Sequence, residues 1–311
     1  GGIALKKQAF GAAALLGVMV LFLLRSAVTA DAVRRGLSLC AHSVLPALGP
    51  YFVLSSLFVS LGFDRPVGRL LGPVFTRLTG VSGVGASAFF LGLLGGYPVG
   101  ARTLSQLYRS GRLTRWEAQR LLSFCNNAGP SFAVGILGLG CFHSLRAGAA
   151  LYLIHVAAAL LVALLPVPRS SHASLPSSLS SVPPRPPLSL LPALVQAIAS
   201  ATALLQVCAF VVFFTVVIRL FFLSGVLPGL AGLLGRLLGP LGFSQAWAER
   251  LLTGFFEISS GVWTLSGEGA MAGRMSMAAF MLGWAGLSVH CQLAASLHGQ
   301  RLMGRGFFAF R

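Results

Sequence analysis

Acidic residues are what this sequence has least of: six Asp and Glu in 311 residues, against 23 Lys and Arg. Charged side chains make up 9% of the chain, where a water-soluble domain carries roughly 25%. Water is therefore not its main solvent. Six dispersed acids cannot gather into a metal cluster, and the sequence has no GxxxxGK[ST] loop, HExxH pair or GxSxG elbow. These absences argue against an enzyme and leave no catalytic residue, metal site or cofactor to assign. The five cysteines (Cys40, Cys125, Cys141, Cys208 and Cys291) lie in apolar segments without CxxC or CxxH spacing. Neither a disulfide framework nor a zinc site is implied. Basic aromatic patches on a polar surface are also missing, so the net charge of +17 does not point to nucleic acid.

What the chain does have is apolar length. It is 56% apolar with a mean hydropathy of +0.84. Uncharged runs occur at Ala9–Leu24, Leu37–Leu61, Leu121–Phe142, Ala147–Pro166, Leu188–Ile218 and Met275–Leu297. Most reach the roughly 17–25 residues that a helix needs to cross a bilayer. The expected fold class is an all-α polytopic membrane protein. Positive charge beside such spans sets topology and contacts anionic lipid. Lys6-Lys7 before Ala9–Leu24 has the look of a signal peptide, but without a clear cleavage site a retained leading helix over 1–30 is expected. The first residue, Gly rather than Met, suggests a trimmed or tagged start. Pro46 and Pro50 predict a kink in the second span. Between Val167 and Pro187 the sequence turns to Ser and Pro, the composition of a linker, so the domains divide as 31–166, a linker at 167–188, and 189–311.

The two halves repeat. GRLLGP stands at Gly68–Pro73 and again at Gly235–Pro240; GARTLS from Gly100 matches GVWTLS from Gly261; Ala128-Gly129-x-Ser131 matches Ala285-Gly286-x-Ser288. The matches are collinear and their offsets shrink steadily, as after a duplication. The GRLLGP segments are too short and basic to span and fit interfacial helices. Two broken apolar segments, Val81–Ala101 and Leu251–Ser266, could cross or re-enter. If both re-enter, Lys and Arg fall mostly on one face; if both cross, they divide evenly. The positive-inside rule prefers two re-entrant hairpins with both termini and the linker cytoplasmic. The first half then crosses an odd number of times, and the two repeats are inverted, which suits alternating access around a site between them.

Candidate site residues cluster at the breaks, since irregular backbone survives at membrane depth only inside protein or around a wet cavity. Gly96, Tyr97 and Pro98 form the expected first tip, with Arg102 just beyond, able to meet an anion or to snorkel to the interface. Asn126 and Asn127 precede Pro130, which is placed to open a half-helix through Ser131; their amides either contact a ligand or satisfy freed backbone. Glu257, the sole carboxylate deep in an apolar stretch, is a proton-coupling candidate or a protonated structural residue. Ser259, Ser260, Ser288, His290 and Gln292 are the polar groups of the second half, and their bland reading is local bonding and packing. Arg112–Arg120 has capping-box spacing, Thr114 with Glu117, and is assigned to structure.

At GGYPVGAR, LLSFCNNAGP, FFEISSG and GLSVHCQ the sequence resembles the YlbJ or SpoVV sporulation integral membrane proteins, within the wider group of nucleoside-recognition gate domains. The resemblance runs from about Asp31 to Met303, the linker excepted. It implies units similar to the repeats of concentrative nucleoside transporters. It also implies movement of dipicolinic acid across the outer forespore membrane, with the mother cell as cytoplasm. Half-helix N-termini, Asn amides, Tyr97 and Arg102 or His290 would make a reasonable cage for that dianion. A nucleoside or another small metabolite is the first alternative cargo, and a non-transporting scaffold for spore assembly is the second. Expected partners are the small-molecule substrate, the bilayer with its anionic lipids and, compatibly, further copies of the chain. The coupling ion, proton or sodium, is left open.

Overall fold

Backbone in lipid must bond within its own segment, and a helix does this without neighbours. The structure, a computed structural model, describes residues 2–165, 188–297, 299–300 and 302–303, and all regular elements among them are helical. In chain order they are α1 (Gly2–Leu24), α2 (Ser26–Leu39), α3 (Leu45–Ser60), α4 (Asp64–Thr79), α5 (Gly83–Gly95), α6 (Val99–Arg109) and α7 (Arg115–Leu122). A wide-turned π segment (Ser131–Cys141) and α8 (Leu145–Leu164) follow. After the gap come α9 (Leu190–Ser200), α10 (Ala203–Leu223), α11 (Val226–Leu238), α12 (Gln245–Phe256), α13 (Ile258–Trp263), α14 (Met271–Trp284) and α15 (Gly286–Ser296).

Four helical runs are long and apolar enough to cross a membrane: Ser26–Ser60, Leu145–Leu164, Leu190–Leu223 and Met271–Ser296. A fifth arises if α4 and α5, bent by 95°, count as one span. These runs differ from the uncharged ones read in the sequence. The second span starts a full α2 earlier, at Ser26, because Asp31 and Arg35 pair at 2.8 Å along one exposed helix face and do not stop the helix. That run also crosses position 31, where the leading helix was expected to end. Leu121–Phe142 is no single helix, since α7 ends at Leu122 and regular turns resume only at Ser131, with Pro130 at the cap. In the second span the irregularity lies just before the prolines. Cys40–Val44 is a single wide turn, and Leu45 N–H reaches back to the Cys40 carbonyl. The linker expected at 167–188 lies outside the described residues, except for its last position.

Both copies of GRLLGP owe their first glycine to the next helix. A β-carbon on Gly68 would lie 3.0 Å from the Gly83 carbonyl oxygen at the start of α5. One on Gly235 would lie 2.9 Å from the Gln245 nitrogen at the start of α12. The same succession of a long bent span, a short helix, a helical hairpin and a segment broken by non-helical backbone occurs in each half. Buried apolar clusters join the halves: Tyr97, Phe132 and Leu137 pack with Val262, Met281 and Leu282, and Val44 and Leu91 pack with Leu204 and Val211.

Capping-box chemistry holds the basic turn. Thr114 Oγ1 accepts the Glu117 N–H, and Glu117 Oε2 accepts the Thr114 N–H at 2.8 Å. The other oxygen, Oε1, accepts the Ser82 N–H at 2.8 Å, at the cap of α5. One carboxylate thus caps two helices and ties α7 to the hairpin.

Candidate functional site

Two glycine pairs let each hairpin close. In α5–α6, a β-carbon on either Gly92 or Gly100 would come within 1.9 Å of the Cys125 carbonyl oxygen, so the backbone before the first break sits in the crossing of the two arms. In α12–α13, a β-carbon on Gly261 would stand 2.3 Å from the Gly254 α-carbon. Gly92 with Gly100, and Gly254 with Gly261, are thus points of close approach between the arms of each hairpin.

Each hairpin tip then rests on the broken segment that follows it. Gly96, at φ +77°, faces Gly129: a β-carbon on Gly129 would meet the Gly96 nitrogen at 3.0 Å. In the second half Gly286, at φ +85°, faces the other tip, with the Ile258 nitrogen 2.9 Å from its β-carbon position. A positive φ is open to glycine at little steric cost; Ala285 takes one too, at +69°.

Backbone groups released by the breaks are taken up by side chains, most of them from elsewhere in the fold. The Ala128 N–H donates to His155 Nε2 at 3.0 Å, and Tyr152 Oη donates to the Leu93 carbonyl at 3.0 Å. Tyr97 Oη donates to the Leu282 carbonyl, whose ordinary helical partner lies past the second break. Asn127 Nδ2 donates to the Phe124 carbonyl at 2.8 Å. Trp284 Nε1 donates to the Phe255 carbonyl at 3.0 Å, its ring stacked on Phe255 at 5.0 Å and tilted against His290 at 4.5 Å.

Glu257 forms the second tip. Its carboxylate, 1% exposed, accepts the Ser259 N–H at 2.9 Å and the Ser260 N–H at 2.6 Å, capping α13. Both oxygens are thereby engaged by N–H donors of the same hairpin. Around this tip lies a hollow of 30 Å³, bordered by Tyr97 and Gly129 from one half and Glu257, Ser259, Val289 and Gln292 from the other. A buried water needs roughly 10–15 Å³ of such space, so the hollow takes about two.

Above it opens a cavity of 1160 Å³, at the upper end of the roughly 300–1,000 Å³ common for ligand pockets. It runs between α3, α6, α9, α10 and α15, with Gln292 and Val207 bordering both spaces. Pro98 and Arg102 line the inner part and Asp64, Arg65, Arg109 and Arg112 the mouth. Four arginines against one carboxylate make this vestibule electropositive, and Asp64 is itself paired with Arg112 at 2.7 Å. Arg102 is half-buried, lies over the Phe52 ring at 5.1 Å and donates to the Ser200 carbonyl at 3.3 Å.

Of the residues singled out in the sequence, Tyr97, Pro98, Arg102, Glu257, Ser259 and Gln292 border one or other of these two spaces, and Gln292 borders both. Gly96 supports the tip from behind. Asn126 and Asn127 are buried outside both linings, and Ser131 follows the first break. Ser260 Oγ lies 3.4 Å from Thr215 Oγ1. Ser288 accepts from Gln292 Nε2 at 3.2 Å, and His290 Nδ1 is 2.7 Å from the Gly286 carbonyl. His155 and Tyr152, which hold the first break and tip, were not singled out; they sit in an unbroken apolar run whose sequence carries no sign of the gap they fill. Gln196 and Gln206 of the vestibule likewise lie in a run that reads as plain span.

Among curated proteins, the chain is similar to a sporulation integral membrane protein of Bacillus subtilis (strain 168), named YlbJ. The two are 29% identical over 301 residues, covering 90% of this chain and 73% of that protein. No family model matches the chain. No solved structure matches it.

Proposed function

We propose that the chain is a member of the YlbJ family of sporulation integral membrane proteins and a transporter of a small organic anion, dipicolinic acid. Its proposed place is the outer forespore membrane, with the basic mouth of the vestibule on the mother-cell side. The carrying observation is the convergence of two hairpin tips and two broken segments on a small hollow beside an electropositive vestibule. Inverted repeats with re-entrant hairpins account for that convergence, since each half brings one tip and one break to the same depth. The vestibule then represents the state open to one face, with the tips as the closed barrier.

Charge favours an anion over a nucleoside. The vestibule offers arginines, whereas the one deep carboxylate that could bind ribose hydroxyls has both oxygens on the Ser259 and Ser260 N–H groups. Dipicolinate carries two carboxylates on a flat ring, and Arg102, already spread over the Phe52 ring, presents planar donors at the inner end of the path.

Uptake by purified protein in liposomes tests this. Labelled dipicolinate should accumulate above empty liposomes and be competed by unlabelled dipicolinate but not by nucleosides. Folded protein that passes nucleosides and not dipicolinate would transfer the proposal to the alternative cargo; flux of neither would leave a scaffold.

A further inference from the structure

The contact between Arg102 and Ser200 carries more than packing. Helical bonding breaks between α9 and α10: the Leu204 N–H donates to Ala201 rather than to Ser200. The Ser200 carbonyl is thus released from its ordinary partner, and the Arg102 guanidinium takes it. Arg102 stands on α6 and Ser200 at the end of α9, both lining the vestibule, so this bond joins two walls of the same cavity. At 3.3 Å it is longer than the usual 2.7–3.2 Å of an N–H···O bond. Arg102 has no carboxylate partner among the described residues; the ion pairs there are Arg35–Asp31 and Arg112–Asp64.

Resting on the reading of the vestibule as an anion path, we propose that Arg102 is a charge-reading latch. An anionic group on the cargo draws Arg102 off the Ser200 carbonyl and thereby uncouples the α9–α10 joint from α6. The competition is uneven by nature. Arginine to carboxylate is a charge-assisted, often two-bond interaction, roughly twice as strong as a bond to a neutral acceptor. A neutral cargo of the same shape has no such advantage and leaves the latch closed. Arg102 is in this sense a specificity-determining residue: it ties release of the joint to the charge of what enters. The joint can respond because it is already broken; α9 is also tied to α3, where the Leu188 N–H donates to the Ser60 carbonyl at 3.0 Å and Ser60 Oγ to Gln196 Oε1 at 3.3 Å.

Spin labels at Ser110→Cys, beyond the end of α6, and Val195→Cys, on the exposed side of α9, report the distance across the latch in the full chain. Both positions are exposed, and a Cys291→Ala background removes the one native thiol that is not buried. Dipicolinate should shift that distance, while its neutral dicarboxamide should bind at least about tenfold more weakly and shift nothing. Arg102→Gln, shown to be folded by an unchanged helical spectrum, should sit at the shifted distance without ligand and respond no further. Dipicolinate that binds by thermal shift but leaves the distance unchanged would overturn the latch and leave the anion site standing. A dicarboxamide that shifts the distance as fully, or an Arg102→Gln that still responds, would overturn it as well. If dipicolinate does not bind the wild-type protein at all, the anion-site reading falls and takes the latch with it.

Discussion

Gly100→Ala is the smallest change that strikes the centre of the first hairpin. The added carbon would lie 1.9 Å from the Cys125 carbonyl oxygen and 3.0 Å from the Gly92 α-carbon. Both obstacles are backbone, so no side chain can rotate away. The Cys125 carbonyl must retreat by about an ångström, and Cys125 leads directly into the first break at Asn126–Gly129. Overpacking of this kind costs about 1–3 kcal/mol, and with about 2–4 °C per kcal/mol for large domains the thermal midpoint in detergent should fall by roughly 2–12 °C. Uptake should fall further than stability alone explains, because the displaced segment positions the tip. Gly135→Ala is the control: nothing lies within 4 Å of its β-carbon, and its midpoint should hold within about a degree. Equal midpoints for Gly100→Ala and Gly135→Ala would refute the close crossing of α5 and α6 over Cys125.

Other changes test other joints. Glu257→Gln turns an amide donor toward either the Ser259 or the Ser260 N–H; it should lose about 1–3 kcal/mol, seen in the thermal midpoint, and most of the uptake. Arg120→Met removes the guanidinium whose Nη2 bonds the Val162, Ala163 and Leu165 carbonyls at the end of α8. That variant should unfold at lower temperature, and protease should cut after α8 sooner, with dipicolinate affinity unchanged. Glu117 supplies the pH test. Burial opposes its charge, but the Thr114 and Ser82 N–H groups outweigh burial and hold the carboxyl below its ordinary 4.5. Because the folded value is the lower one, its contribution is complete above about pH 4.5 and is lost as pH falls below it. Thermal melts from pH 7 to 3.5 should show this loss in the wild type and a flatter profile in Glu117→Gln.

How far the sequence could be read depended on whether a feature left a chemical mark. Pro130 after two asparagines marks a break plainly, because proline cannot donate and asparagine amides can replace backbone partners; the structure resumes helix at Ser131. Thr114 and Glu117 were legible for the same reason, as a cap needs those side chains at that spacing. Nothing comparable marks the α9–α10 joint. Ala201-Thr202 is compatible with helix, and its released carbonyl is answered by Arg102, almost a hundred residues away. Likewise His155 and Tyr152 look like ordinary members of an apolar span until the break and tip they satisfy are seen in space. Glu257 was read as either a coupling group or a protonated partner of a neighbouring hairpin. Its observed role as a cap on its own α13 required the backbone direction at the tip, which composition does not contain.

The proposed transport path requires two hairpins that enter the bilayer from opposite faces and turn back. Single-cysteine labelling with a membrane-impermeant reagent measures this directly, at Arg77 and Ser110 flanking the first hairpin and at Gln245 and Glu268 flanking the second. The expected result is that Arg77→Cys and Ser110→Cys label from one face and Gln245→Cys and Glu268→Cys from the other. Members of either pair labelling from opposite faces would mean that hairpin crosses the membrane, and would contradict the proposed re-entrant path.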